Sequence, residues 1–174
     1  MPHFMKKYLF IIISVATFAM TSCNTRALST PSINATIAIH TSPSGQVDTV
    51  PLNKMEKDTM HVGDTMRLGL LLNGHFNYLT SFEAHTTNTA CLSVSLDWNH
   101  ALDSLLAEGS DPDKAKLFFL PERVGGCITT LKYVALKEGD TRIEMTIASD
   151  AGESYSPVIY TFDVPVRDTV PSNL

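Results

Sequence analysis

The chain has 174 residues, 44% hydrophobic and 18% charged, enough for one globular domain with a sizeable core and too few for two ordinary ones. The formal charge is −5. Removal of the first 22 residues, which carry Lys6 and Lys7 and no acid, takes it to about −7, which excludes ordinary nucleic-acid binding because that affinity comes from neutralising phosphates with Lys and Arg.

Lys6 and Lys7 precede an apolar run from Tyr8 to Met20, the length of a signal-peptide core and short for a bilayer span. Met5 offers a second start. The run closes on Met20-Thr21-Ser22-Cys23, small residues directly before a cysteine, which resembles the lipobox of bacterial lipoproteins. That resemblance implies cleavage of residues 1–22 as a signal peptide and lipidation of the Cys23 thiol, which would tie the protein to a membrane of the bacterial envelope. The alternative is an ordinary cleaved signal with an incidental cysteine. Asn24 is not the aspartate that retains some lipoproteins in the inner membrane, and no acidic run follows Cys23. The expected location is therefore the outer membrane, facing the periplasm. Residues 23–32 are polar and turn-rich and read as a flexible tether; residues 33–174 read as the domain.

Within the domain, Ile33, Ala35, Ile37 and Ile39 alternate with polar or small residues, a first strand ended by the turn Ser42-Pro43-Ser44-Gly45. Val62-Gly63-Asp64 is a turn feeding a strand in which Met66, Leu68, Leu70 and Leu72 share a face. Strands follow over Leu79 to His85 and Leu92 to Leu96. From Asn99 to Ala107 the spacing of Ala101, Leu102, Leu105 and Leu106 changes to three and four, which predicts a short helix capped by Asn99 and stopped at Gly109. Lys116 to Leu120 is β-prone. After Gly125-Gly126 comes a segment with Leu131, Tyr133 and Ala135 on one face and Ile128, Val134 and Leu136 on the other, so both faces are expected to be at least partly covered. A Lys137-Glu138-Gly139-Asp140 turn then leads to a strand with Ile143, Met145 and Ile147 inward, and the two segments read as a hairpin. The last strand runs from Val158 to Val166, and Pro165 places its end at an edge or bulge. Short strands, frequent turns and one brief helix predict an all-β, immunoglobulin-like antiparallel β-sandwich of about 7–9 strands. The immunoglobulin Cys and Trp spacing is missing, since Trp98 follows Cys91 too closely and Gly125 stands where the corner tyrosine would be.

With Cys23 lipidated, Cys91 and Cys127 are the remaining pair. An oxidising compartment favours a disulfide, closing a loop of about 37 residues and contributing about 3–4 kcal/mol; two free thiols are the alternative. Because Cys91 falls on the face opposite Leu92, Val94 and Leu96, a bridge would sit at a strand end. The histidines at 40, 61, 75, 85 and 100 show no ligand spacing, and Glu108, Asp111 and Asp113 lack the glycine and closing glutamate of a calcium loop, so neither metal nor cofactor is expected. No nucleophile elbow, phosphate-cradling glycine loop or nucleophile with an evident base is visible, and the expectation is a non-enzyme. Trp98 reads as a core residue, with a sugar-stacking platform as the alternative.

Thr59-Met60-His61-Val62-Gly63-Asp64-Thr65-Met66-Arg67-Leu68, Leu72-Asn73, Val124-Gly125-Gly126, Ala135-Leu136-Lys137-Glu138-Gly139-Asp140-Thr141 and Tyr160-Thr161-Phe162-Asp163-Val164 follow one another as in the chagasin family of cysteine-protease inhibitors, which this stretch, about Val47 to Asp168, resembles. The resemblance implies an immunoglobulin-like sandwich whose loops at one end form a wedge for a papain-like protease cleft. The first loop would be Asn73, Gly74, His75, Phe76, Asn77 and Tyr78, keeping only the leading Asn of the family's Asn-Pro-Thr-Thr-Gly. The second is Arg123, Val124, Gly125 and Gly126, keeping the glycine pair of Gly-x-Gly-Gly, which lets backbone approach a partner closely. The third, Ser149 to Glu153 with Asp150, Ala151 and Gly152 at its centre, has neither the Arg nor the aromatic of Arg-Pro-Trp, and the stretch between Trp98 and Pro112 looks like an insertion. The implied partner is a cysteine protease met by a monomer. The other reading is an adhesion, glycan-binding or structural module of the envelope.

Overall fold

The computed structural model describes residues 28–52, 59–97 and 100–168; the signal segment, Cys23, Trp98 and Asn99 lie outside them. Among the described residues the strands, in chain order, are β1 (Ser32–Thr41), β2 (Val47–Val50), β3 (Met60–His61), β4 (Thr65–Asn73), β5 (Leu79–Thr86), β6 (Leu92–Asp97), β7 (Lys116–Phe118), β8 (Gly126–Ala135), β9 (Gly139–Ser149) and β10 (Val158–Arg167). They form two five-stranded sheets, ordered β2-β1-β4-β8-β6 and β3-β10-β9-β5-β7. The set β1-β4-β8-β6 against β10-β9-β5 is the A-B-E-D and G-F-C arrangement of an immunoglobulin sandwich. The fold is therefore all-β and immunoglobulin-like. The short strands β2 and β3, the latter pairing in parallel with the end of β10 at Val166 and Arg167, carry the count past the expected nine.

Period-2 patterning sets which residues face inward. Leu68, Leu70 and Leu72 of β4 and Leu131 of β8 are fully buried against Phe82 of β5 and Ile143 and Ile147 of β9. Each such side chain contributes about 1.5–3 kcal/mol on leaving water. Tyr133 and Phe162 meet across the two layers with ring centroids 6.1 Å apart and planes tilted by 59°. The outer face of β8 is covered in part: Val134 is half-buried, whereas Ile128 is 60% exposed and Leu136, just past the strand, is 50% exposed, because no third layer covers that sheet and an antiparallel sheet can present one face to water.

The segments β8 and β9 are not a hairpin. β8 pairs with β4 and β6, whereas β9 pairs with β10 and β5. The link at 136–138 crosses from one sheet to the other, and its amides at Leu136 and Lys137 both donate to the Cys91 carbonyl. The two apolar faces meet across the core instead of lying side by side. Alternation specifies a buried face but not the neighbouring strand.

Cys91 and Cys127 are buried and unpaired. Leu92, directly after Cys91, pairs with Ala135, eight residues along β8 from Cys127, or about 27 Å of strand. A disulfide needs Cα atoms within about 7 Å. The Cys91 sulfur instead accepts from Asn88 Nδ2 at 2.8 Å and sits against Gly139, where a Cβ would overlap it. Burial pushes the Cys127 thiol up to about 11.

The predicted helix is a 3-10 helix, His100–Leu105, with Leu102 its buried side chain; six residues with so little apolar contact do not sustain longer α-helical pairing. A second 3-10 turn, Pro112–Lys114, is capped by Asp111, whose carboxyl the hydrogen bond from Lys114 holds below the usual range. At the pole where β4 begins, Asp64 is buried: its Oδ2 accepts the His61 amide at 2.7 Å and lies 3.0 Å from His40 Nε2, tying β1 to β3.

Candidate functional site at one pole of the sandwich

β4 ends where β8 begins, with Asn73 opposite Gly126. β5 begins where β9 ends, with Leu79 opposite Ser149. Both strand pairs therefore open at the same pole, and the segment joining β4 to β5 must cross it from sheet to sheet. That topology brings the segments 73–78, 123–127 and 149–153 together. The Gly74 amide donates to the Gly125 carbonyl at 2.8 Å, and the Leu79 amide to the Val124 carbonyl at 2.6 Å. On the other flank the Tyr78 amide donates to Asp150 Oδ1 at 2.7 Å, and the Asp150 amide returns a bond to the Tyr78 carbonyl at 2.9 Å. The first loop thus lies between the other two and is bonded to each.

The eleven residues singled out from sequence divide by exposure. Gly74, Val124 and Ala151 are buried and shape the loops from within, out of a partner's reach. Asn73 is half-buried and turns its Oδ1 back onto the His75 amide at 2.7 Å. His75, Phe76, Gly126, Asp150 and Gly152 are exposed, while Tyr78 and Gly125 are half-buried. Phe76, 68% exposed, is the largest apolar projection. Glu122, Arg123, Asp150 and Glu153 make the exposed charge of the rim predominantly acidic.

The two key glycines differ. A Cβ on Gly74 would run into the Asn77 carbonyl, whereas one on Gly125 would meet nothing within 4 Å. Gly74 is required by the fold. Gly125 is not, and it leaves a stretch of backbone bare of side chain at the rim.

Sequence reasoning placed Asn77 in the first loop without a role. It is 3% exposed, and its Nδ2 donates to the Ser29 carbonyl and hydroxyl, each at 3.2 Å. Ser32 Oγ lies 3.1 Å from His75 Nε2, and His75 itself is left-handed, with φ 57°. Residues 29–32 of the segment read as tether are therefore bonded to the first loop, with Pro31 buried among them. The only cue was a polar loop residue, which ordinarily faces water. Among the described residues no group of three or more His, Cys, Asp or Glu side chains is placed to hold a metal ion.

No family model matches the chain, and no curated protein does. Among solved structures it is similar to a DUF4466 family protein from Parabacteroides merdae, at 11% identity and a TM-score of 0.40 over 79% of this chain and 45% of that one. It is also similar to domains 4 and 5 of the S-layer protein SbsC, at 15% identity and 0.35 over 80% and 54%, and to the BspA_C_WT structure, at 9% and 0.39 over 75% and 50%. The chain spans about half the length of the solved structures it matches.

Proposed function

We propose that this is an envelope-anchored binding domain that works through the rim of its three converging loops, and that its partner is a papain-like cysteine protease whose cleft the rim enters. The observation that carries the reading is the pair of contacts holding the first loop, Gly74 to Gly125 and Tyr78 to Asp150. Loops bonded to one another before binding lose little conformational freedom on docking. The bare backbone at Gly125 supports close approach to a groove, where a bulky side chain would stand off. Lipidation at Cys23 supplies the anchor in this reading, and no catalytic residue is assigned.

The exposed aromatic Phe76, in a loop that lacks most of the family motif, favours a second reading in which the same rim binds a glycan or another envelope protein through an aromatic contact. The deciding experiment titrates papain-like proteases with a soluble chain starting at Asn24. Stoichiometric loss of protease activity supports inhibition. Full activity across a broad panel at a large excess of the domain leaves the second reading standing.

A further inference from the structure

We infer that Leu28 and Phe76 form a membrane-contact patch that turns the loop rim toward the bilayer carrying the Cys23 anchor. The inference rests on the lipidation just proposed, and its observations are independent of protease binding. The hydrogen bonds from Asn77 to Ser29 fix where the chain leaves the domain: it leaves at the rim, not at the opposite pole. Leu28 and Phe76 each neighbour one partner of that contact in sequence, and they are 54% and 68% exposed. Leu28 lies five positions after Cys23, a reach of at most about 18 Å when fully extended. An acyl chain inserted in the membrane therefore keeps these two side chains within a short distance of the headgroup layer.

At that separation the local concentration of lipid surface is high, and two apolar side chains that would not hold a free protein on a membrane suffice to orient a tethered one. The far pole supplies an internal control. Val47 and Leu136 are 61% and 50% exposed, comparable in apolar character, but they sit at the end away from the chain exit. The acids Glu122, Asp150 and Glu153 around the rim oppose a negatively charged surface, so the occupant is a bilayer rich in neutral or zwitterionic headgroups, entered by apolar contact rather than by charge.

The test is amide hydrogen exchange on the full acylated chain in phosphatidylethanolamine vesicles and, for comparison, in detergent. Peptides covering 28–32 and 74–79 are expected to exchange at least about fivefold more slowly on vesicles, with those covering 42–47 and 136–140 unchanged. Replacement of Phe76→Ser removes that protection without touching a hydrogen bond of the loop, and addition of phosphatidylglycerol reduces it. Equal exchange at both poles, protection of the far pole, or protection that survives Phe76→Ser would each overturn the patch. A chain whose mass shows Cys23 unmodified overturns the anchor and the patch together. On the anchored chain the bilayer and a protease would compete for Phe76, so the two contacts are alternatives there, and the soluble chain, which has no anchor, tests the protease reading separately.

Discussion

Replacement of Gly125 separates what the rim does from what the fold needs. Its φ is not in the left-handed region and a Cβ there meets nothing within 4 Å, so Gly125→Ala costs the folded state nothing sterically. It also removes freedom from the unfolded chain, a gain of about 0.4–1 kcal/mol, or roughly 2–5 °C in Tm for a domain of this size. Gly74→Ala is the opposite case, because the added methyl runs into the Asn77 carbonyl; forced movement of that kind costs about 1–3 kcal/mol. Gly125→Trp then sends a large ring out from the bare stretch, starting from a Cβ that meets nothing within 4 Å. If the rim enters a protease cleft, a loss of about 3 kcal/mol in binding is expected, roughly a hundredfold in inhibition constant. The assay pairs thermal unfolding with protease titration for all three variants. A Gly125→Trp chain that inhibits as well as the parent refutes the rim as the contact surface, and a Gly125→Ala chain with a clearly lowered Tm refutes the open geometry on which the reasoning stands.

Four further outcomes follow from the interior. Thr129 Oγ1 is buried with no hydrogen-bond partner, so Thr129→Val should raise stability by about 1 kcal/mol in denaturant titration; a loss of that size would mean the hydroxyl is satisfied in solution. Alkylation after denaturation without reductant should modify both Cys91 and Cys127, and a mass two hydrogens short would contradict their separation along β8. Because burial raises the folded Cys127 thiol to about 11, the unfolded chain releases its proton first; stability is full below about pH 9 and falls between about pH 9 and 11, by about 2–3 kcal/mol, and Cys127→Ala should flatten that slope. Asp64→Ala leaves the His61 amide without its carboxylate and unties His40, so a loss of about 1–3 kcal/mol is expected in thermal or chemical unfolding.

Where a strand has one buried face and an unbroken register, its sequence announced it; in β1 a register shift between Ala35 and Ile37 leaves Ile37 45% exposed and buries Ala38 instead. The runs Met66 to Leu72 and Ile143 to Ile147 became β4 and β9 with the expected residues inward. Which strand lies beside which was not legible, since the same alternation serves a hairpin or two strands facing across a core, and the short charged turn at 137–140 suits both. The cysteines misled for a related reason: counting them ignores the strand length that separates them. β2 and β3 are too short, at four and two residues, to leave a periodic trace. At the rim, the glycine pair and the three segments could be named from sequence, but their mutual bonds depend on strand register. Asn77 could not be given its role, because the residues it holds lie 48 positions away in the chain.

We propose that a protease meets this protein at the loop rim. Amide NMR spectra of the 15N-labelled soluble chain, recorded with and without an active-site-blocked papain-like protease, test it most directly. The account predicts shifts or broadening confined to Phe76, Gly125, Gly126 and Gly152, with Gly45 and Gly63 at the far pole unmoved. Changes centred on either sheet face or on the far pole, or no change at saturating protease, would contradict it.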